Sequence, residues 1–295
     1  MQKSEQGTPP DFAELLPAFR EFCEVVAKLR SPEGCPWDRQ QTLQSIAPYT
    51  LEETCELLEA ISADDDGAIT EELGDVLLQV VLDAQIAADE SRFGLVDVVR
   101  AICAKMIRRH PHVFGEDAVA SADEVKQLWL QVKQQEKPER TSILDGIAES
   151  LPQLAKAARI SARAASAGYD FPDRRMLFAK LQEELSELSM ELFGSAQPEV
   201  VPADVNVAEV ADAALSADAR DRATSELGDL LFVIANIGRR WGINPEEALR
   251  RSNAKFVRRF QAIEAAVKAS GKQLHQTSLA EKEEIYQAFK AVENS

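Results

Sequence analysis

The residues of this chain best suited to chemistry are carboxylates spaced for one helix face. In Glu52-Glu53-Thr54-Cys55-Glu56 the second and third glutamates are three apart and the first and third four apart. On a helix all three lie about one turn from each other. Glu72-Leu73-Gly74-Asp75 adds two carboxylates at i and i+3. Like charges so placed destabilise their own helix modestly, and bringing two such helices together is costly unless a cation sits between them. Hard divalent ions bound by carboxylate oxygens meet that need, and Mg²⁺ typically keeps waters and recruits substrate phosphates. The alternative is a solvated acidic helix face. Recurrence decides against it: Glu183-Glu184-Leu185-Ser186-Glu187 and Glu226-Leu227-Gly228-Asp229 repeat both motifs. Leu57 and Leu58 in one motif, and Leu73 and Val76 in the other, also set the carboxylates at the border of a core.

A third match follows in order. Lys105-Met106-Ile107-Arg108-Arg109 corresponds to Lys255-Phe256-Val257-Arg258-Arg259, with Asn253 just upstream of the latter. Three ordered matches across two halves make the chain a tandem duplication. A cationic helical turn near a carboxylate cage suits a polyphosphate: metal ions neutralise some of its oxygens, Lys and Arg the others.

The elements that must position these residues are helices. The chain has 295 residues, 45 % of them apolar, with only 13 Gly, 13 Pro and 6 % aromatics, a composition that favours an all-α fold with a real core. Its 50 Asp and Glu against 33 Lys and Arg leave a charge of −17, which argues against nucleic acid and anionic membranes as partners. No apolar run approaches the roughly 20 residues of a membrane helix. The N-terminal MQKSEQGTPPDF carries no apolar signal core, so a cytoplasmic location is expected. Cys23, Cys35, Cys55 and Cys103 form no CxxC pair and read as small buried side chains.

Apolar periodicity predicts a first helix through Phe12, Leu15, Leu16, Phe19, Phe22 and Cys23, ended by SPEGCPWD. Asp38 with Gln41 reads as a capping box opening the next helix. Further helices fit roughly 49–62, 68–90, 95–109 and 122–137, then 150–167, 173–193, 223–241, 245–269 and 277–292. The duplication divides the chain into an N-terminal domain at 1–140, after the charged Lys137-Pro138-Glu139-Arg140, and a C-terminal domain at 141–295. Within the C-terminal domain stands an insertion at about 194–222, rich in Ala, Asp, Val and Pro, expected to be flexible or partly helical. His110 and His112 read as a turn cap rather than a zinc site. Trp241 reads as core, with Trp37, Trp129 and Tyr286 as core or base-stacking residues. No Gly-rich phosphate loop, GxSxG elbow or HExxH occurs.

The segments CPWDRQQT (35–42), LEETCELLEA (51–60), EELGDVLLQVV (71–81), RRHPHVFGE (108–116), EELSE (183–187), ELGDLLF (226–232) and NAKFVRRF (253–260) together resemble the MazG family of nucleoside triphosphate pyrophosphohydrolases, within the all-α NTP pyrophosphatase superfamily. The resemblance spans nearly the whole chain. It implies two MazG-like helical bundles in tandem, a homodimer, and Mg²⁺-dependent cleavage (with Mn²⁺ as a substitute) of a nucleoside triphosphate to the monophosphate and diphosphate, with broad or house-cleaning specificity. Carried over by motif, the metal ligands are Glu184, Glu187, Glu226 and Asp229, with first-repeat equivalents Glu53, Glu56, Glu72 and Asp75. The implied substrate-binding set is Lys180, Glu183, Arg222, Thr224, Asn253, Lys255, Arg258, Arg259 and Tyr286, with Glu183, Lys255, Arg258 and Arg259 in catalytic roles.

Three residues support a catalytic C-terminal repeat independently. Lys180 stands where the first repeat has Tyr49, Arg222 where it has Ala68, and Asn253 where it has Cys103. Two features depart from the family. The C-terminal motifs are 38 residues apart (188–225) against 15 (57–71), and Tyr286 replaces an expected Trp. Two rivals remain: a narrower phosphoribosyl-ATP or dUTP pyrophosphatase on the same helices, and a ferritin-like di-iron protein. The second needs Glu-x-x-His, which the sequence lacks.

Overall fold

The computed structural model describes residues 7–115, 121, 124–125, 128, 141–197 and 214–293. Among them every regular element is a helix. The chain is all-α, and it divides into two compact units, Met1–Lys137 and Pro138–Ser295.

In the first unit, α1 (Phe12–Arg30) is capped by Asp11, whose carboxylate accepts from the Ala13 amide at 2.8 Å. The short α2 (Pro36–Gln40) leads to α3 (Leu43–Ala63) and α4 (Asp66–Asp89), the most extensively packed pair of the unit. α5 (Leu95–Arg109) and α6 (Pro111–Phe114) complete it. The core joins Val26 of α1, Ile46 of α3 and Val81, Leu82 and Ile86 of α4, with Phe19, Phe22 and Leu78 against them. Arg30 fastens the base of α1. Its guanidinium donates to Asp89 at 2.7 Å and to the Asp38 carbonyl at 2.5 Å.

The second unit runs through α7 (Gln153–Ser166), α8 (Met176–Phe193), α9 (Ala217–Arg240), α10 (Pro245–Ala269) and α11 (Leu279–Glu293). Here α8 and α9 form the extensively packed pair, and α7 lies against α9. Leu177 and Ala235 are fully buried, with Val233, Ile263 and Val267 nearly so. Ile46 and Leu177 each precede the first carboxylate motif by six residues (at 52 and 183) and each is buried, so both repeats anchor the acidic helix at one position. Asn244 caps α10 with Pro245 at its first position, and Glu246 accepts from the otherwise uncapped Ala155 amide of α7 at 3.2 Å. Gly238 is required where it stands: a Cβ there would lie 2.9 Å from the Ile243 carbonyl oxygen.

Several boundaries differ from expectation. α3 begins at Leu43 rather than near 49, because Thr42 and Ser45 form the capping box. Asp38 does not cap that helix; it lies within the turn that Pro36 opens. α9 begins at Ala217, inside the expected insertion, because the Ser216 hydroxyl caps the Ala219 amide at 3.2 Å. Residues 198–213 of that insertion, most of the helix expected at 122–137, Trp129, and the stretch Lys137-Pro138-Glu139-Arg140 lie outside the described residues. Trp241 is not core. It follows the last residue of α9, is 38 % exposed, and lies edge-on to Phe178 with the Arg174 guanidinium 4.8 Å from its ring. The cysteines are free, and Cys55 and Cys103 are exposed rather than buried, since both fall on the outer side of their helices. His110 caps α5, its Nδ1 2.7 Å from the Met106 carbonyl oxygen.

Leu177→Ala should cost about 2–5 kcal/mol, the usual range for truncating a fully buried leucine. Denaturant unfolding followed by circular dichroism measures it; a change within about 0.5 kcal/mol, the range of ordinary surface substitutions, would contradict the anchoring role.

Candidate active site

Two groups of three carboxylates come together, each across the heavily packed helix pair of its unit. Glu53 and Glu56 of α3 meet Glu72 of α4, and Glu184 and Glu187 of α8 meet Glu226 of α9. Within each trio one oxygen from every residue lies within 4.8 Å of the others. Asp75 and Asp229 stand one turn further along α4 and α9. Asp75 is close enough to raise the pKa of Glu53 and Glu72, and Asp229 lines the same cavity as the second trio.

The trios carry the marks of crowding. Burial pushes the Glu72 carboxyl above its ordinary value, and Glu56 and Asp75 push it further. Its Oε2 is buried with no partner. Burial, then Asp75, Glu56 and Glu52, raise Glu53. In the second trio burial and Glu184 raise Glu187, with Lys180 acting the other way. Closely set carboxylates with an orphaned buried oxygen fit a hard divalent cation, which would take that oxygen and remove the repulsion.

The second trio differs by one cation. The Lys180 ammonium lies 2.6 Å from Glu184 and 2.9 Å from Glu183. Hydrogen bonds to Glu183 and Glu184 hold its pKa well above the ordinary value. In the first repeat the corresponding Tyr49 instead lies edge-on to Trp37.

The second trio also borders a cavity of about 1000 Å³ within its own unit. Lys180, Glu184, Glu187, Glu226 and Asp229 line one part of it. Ile160, Ser161 and Ala164 of α7, the turn at 168–172, and Phe232, Val233, Asn236 and Arg239 of α9 line the rest. Asp170 pins that turn. It accepts from Arg239 at 2.8 Å and from Arg240 at 2.6 Å, and Arg240 also donates to the Phe171 carbonyl. Burial alone would raise the Asp170 carboxyl, but these two guanidinium bonds outweigh it and hold the group below its ordinary value.

Other residues expected at the site stand elsewhere among the described residues. Glu183 is exposed and bound to Lys180. Arg222 donates to Glu191 at 2.7 Å, tying α9 to α8, and the Thr224 hydroxyl donates to the Arg220 carbonyl of its own helix. Asn253, Lys255 and Arg258 are exposed on α10 and do not line the cavity. Arg259 is buried; it donates to Glu293 at 2.7 Å and to the Tyr286 hydroxyl at 3.3 Å, its guanidinium 5.4 Å from the Tyr286 ring. Arg258 also approaches Glu293, at 3.6 Å. Sequence reasoning missed Asp170, Asn236, Arg239 and Glu293. Partners 69 and 70 residues apart leave no local signal; the one available cue was Gly168 and Pro172, which flank Asp170 as turn residues.

Asp170→Asn should destabilise the second unit by about 2 kcal/mol at pH 7, because it removes the charge from two hydrogen bonds. The folded carboxyl titrates below its ordinary 3.8, so the penalty is full at pH 7 and fades as the solution is acidified below that value. Unfolding midpoints of parent and variant across pH check this; a gap that widens on acidification would contradict it.

A family profile described as MazG nucleotide pyrophosphohydrolase domain matches residues 41–114. The chain is 39 % identical over 272 residues to a nucleoside triphosphate pyrophosphohydrolase of Escherichia coli (strain K12), covering 91 % of this chain and 95 % of that protein. It is 38 % identical over 275 residues to the nucleoside triphosphate pyrophosphohydrolase/pyrophosphatase MazG of Thermotoga maritima, covering 92 % and 95 %. A nucleoside triphosphate pyrophosphohydrolase of Mycobacterium tuberculosis is 38 % identical over 146 residues, 49 % of this chain and 44 % of that protein.

Proposed function

This chain belongs to the MazG family of nucleoside triphosphate pyrophosphohydrolases, hydrolases that act on acid anhydrides, and we propose that it converts nucleoside triphosphates to monophosphate and diphosphate with Mg²⁺, accepting several bases, as a cytoplasmic homodimer. Mn²⁺ substitutes for Mg²⁺ in this reading. The observation that carries it is the carboxylate trio Glu184, Glu187 and Glu226, within 4.8 Å, on the wall of a cavity large enough for a nucleotide.

Glu184, Glu187, Glu226 and Asp229 would hold the ion. When bound, it neutralises phosphate oxygens and lowers the pKa of water in its shell. Lys180 fixes Glu184 in place and brings positive charge to the cavity wall. A water attacks the α phosphorus in line, the bond from that phosphorus to the bridging oxygen breaks, and diphosphate leaves. Glu183 accepts the proton, its carboxylate held in place by a hydrogen bond from Lys180 at 2.9 Å. Lys255 and Arg258, exposed on α10 outside the cavity lining, would meet those β and γ phosphate oxygens that extend past the cavity. Arg259 acts through Tyr286 and Glu293, which hold that turn of α10 against α11. Glu53, Glu56, Glu72 and Asp75 form a second ion site in the first unit.

Glu187→Ala and Asp229→Ala should each lower diphosphate release at least about 100-fold, because each removes a ligand whose charge the site cannot replace. Assays of monophosphate and diphosphate from a panel of common and damaged nucleotides, with Mg²⁺ and with EDTA, check this. Full activity in both variants would overturn the C-terminal assignment. Turnover of a single base would replace broad acceptance with a narrower pyrophosphatase.

A further inference from the structure

The part of the second unit's cavity beyond the carboxylates has no role in the phosphate chemistry, yet a built polar device stands there. Asn236 lines the cavity seven residues after Asp229 on α9. Seven residues are nearly two turns, so the side chains share a face about 10 Å apart along the axis. That is roughly the reach from the α phosphorus of a nucleotide to the edge of its base farthest from the sugar. A phosphate held at Glu226 and Asp229 therefore sets that edge beside Asn236.

The orientation of the Asn236 amide is fixed. Its Oδ1 accepts from Arg239 Nε at 2.7 Å. Arg239 is itself held by Asp170 at 2.8 Å, and Asp170 by Arg240 at 2.6 Å. A guanidinium has only donors, so the amide oxygen must face it and the NH₂ is left for a ligand. An asparagine free to flip would read either polarity; this one presents donors only. At the corresponding described positions the first repeat has no such device. Aligned on Glu72 and Glu226, Leu82 stands for Asn236 and Gln85 for Arg239, and Leu82 is buried in the core.

Resting on the proposed pyrophosphohydrolase reading, we infer that Asn236 is a specificity-determining residue that donates to the exocyclic oxygen at C4 of a pyrimidine or C6 of a purine, so the C-terminal site favours oxo bases over their amino counterparts. Against an exocyclic amine the Asn236 NH₂ meets another donor. Adenine and cytosine still offer ring nitrogens, so this is a preference within a broad range.

The test uses matched pairs in the full-length protein: UTP against CTP and ITP against ATP for kcat/KM, and UMP against CMP by calorimetry in EDTA. The parent should favour the oxo member of each pair by about tenfold, the usual scale for one mispaired donor. Asn236→Asp keeps the Arg239 contact but offers an acceptor, and should reverse the order. Arg239→Met frees the amide to flip and should bring each ratio towards one; it carries the test if N236D does not fold. Equal pairs in the parent, or an unchanged ratio in both folded variants, would overturn the inference. The UMP and CMP affinities involve no chemistry and no metal. A protein that discriminates them but hydrolyses no triphosphate would therefore sink the functional reading while keeping Asn236, and one that binds neither would sink the inference.

Discussion

Carboxylates held within 4.8 Å of one another repel, and this chain builds that arrangement twice, across α3 and α4 and again across α8 and α9. Neither helix of a pair can relieve the strain by turning away, because each is anchored by its buried side. Ile46 fixes α3 and Leu177 fixes α8, while Val81 and Ile86 hold α4 and Val233 and Ala235 hold α9. Hydrophobic burial thus holds the acidic faces against their repulsion. Stability given up at such a site is a common sign of function.

The two units resolve the crowding differently. In the first, burial and neighbouring carboxylates raise both Glu53 and Glu72, and one Glu72 oxygen has no partner. In the second, Lys180 supplies a fixed positive charge against Glu184, and it opposes the rise that burial and Glu184 cause at Glu187. The second trio also opens on a cavity whose far wall is set by the Asp170, Arg239 and Arg240 bonds. These differences favour the C-terminal repeat as the main catalytic one in our proposal.

The carboxylate motifs were legible in the sequence because helical spacing alone decides which residues share a face. The all-α fold was legible for the same reason. What periodicity could not supply was the partner of each charged group. The triplet of Lys255, Arg258 and Arg259 read as one cationic surface, yet Arg259 turns inward to Glu293 and Tyr286 while Lys255 faces solvent. Trp241 read as core from its size and apolarity, but it follows the end of α9 and covers Arg174 instead. Helix starts depended on capping hydroxyls: Thr42 and Ser216 each began a helix six residues before the apolar pattern did.

The central claim is that the clustered carboxylates are a cation site and not an acidic surface. Unfolding midpoints of the parent and of a variant carrying Glu53→Gln and Glu187→Gln, each in EDTA and in saturating Mg²⁺, test it most directly. In EDTA the variant should melt at or above the parent, because it lacks one charge of each repelling trio. With Mg²⁺ at 100 times its Kd the parent should gain about 2.7 kcal/mol per site and overtake the variant. Mg²⁺ that leaves the parent unmoved, or raises both proteins alike, would contradict the account.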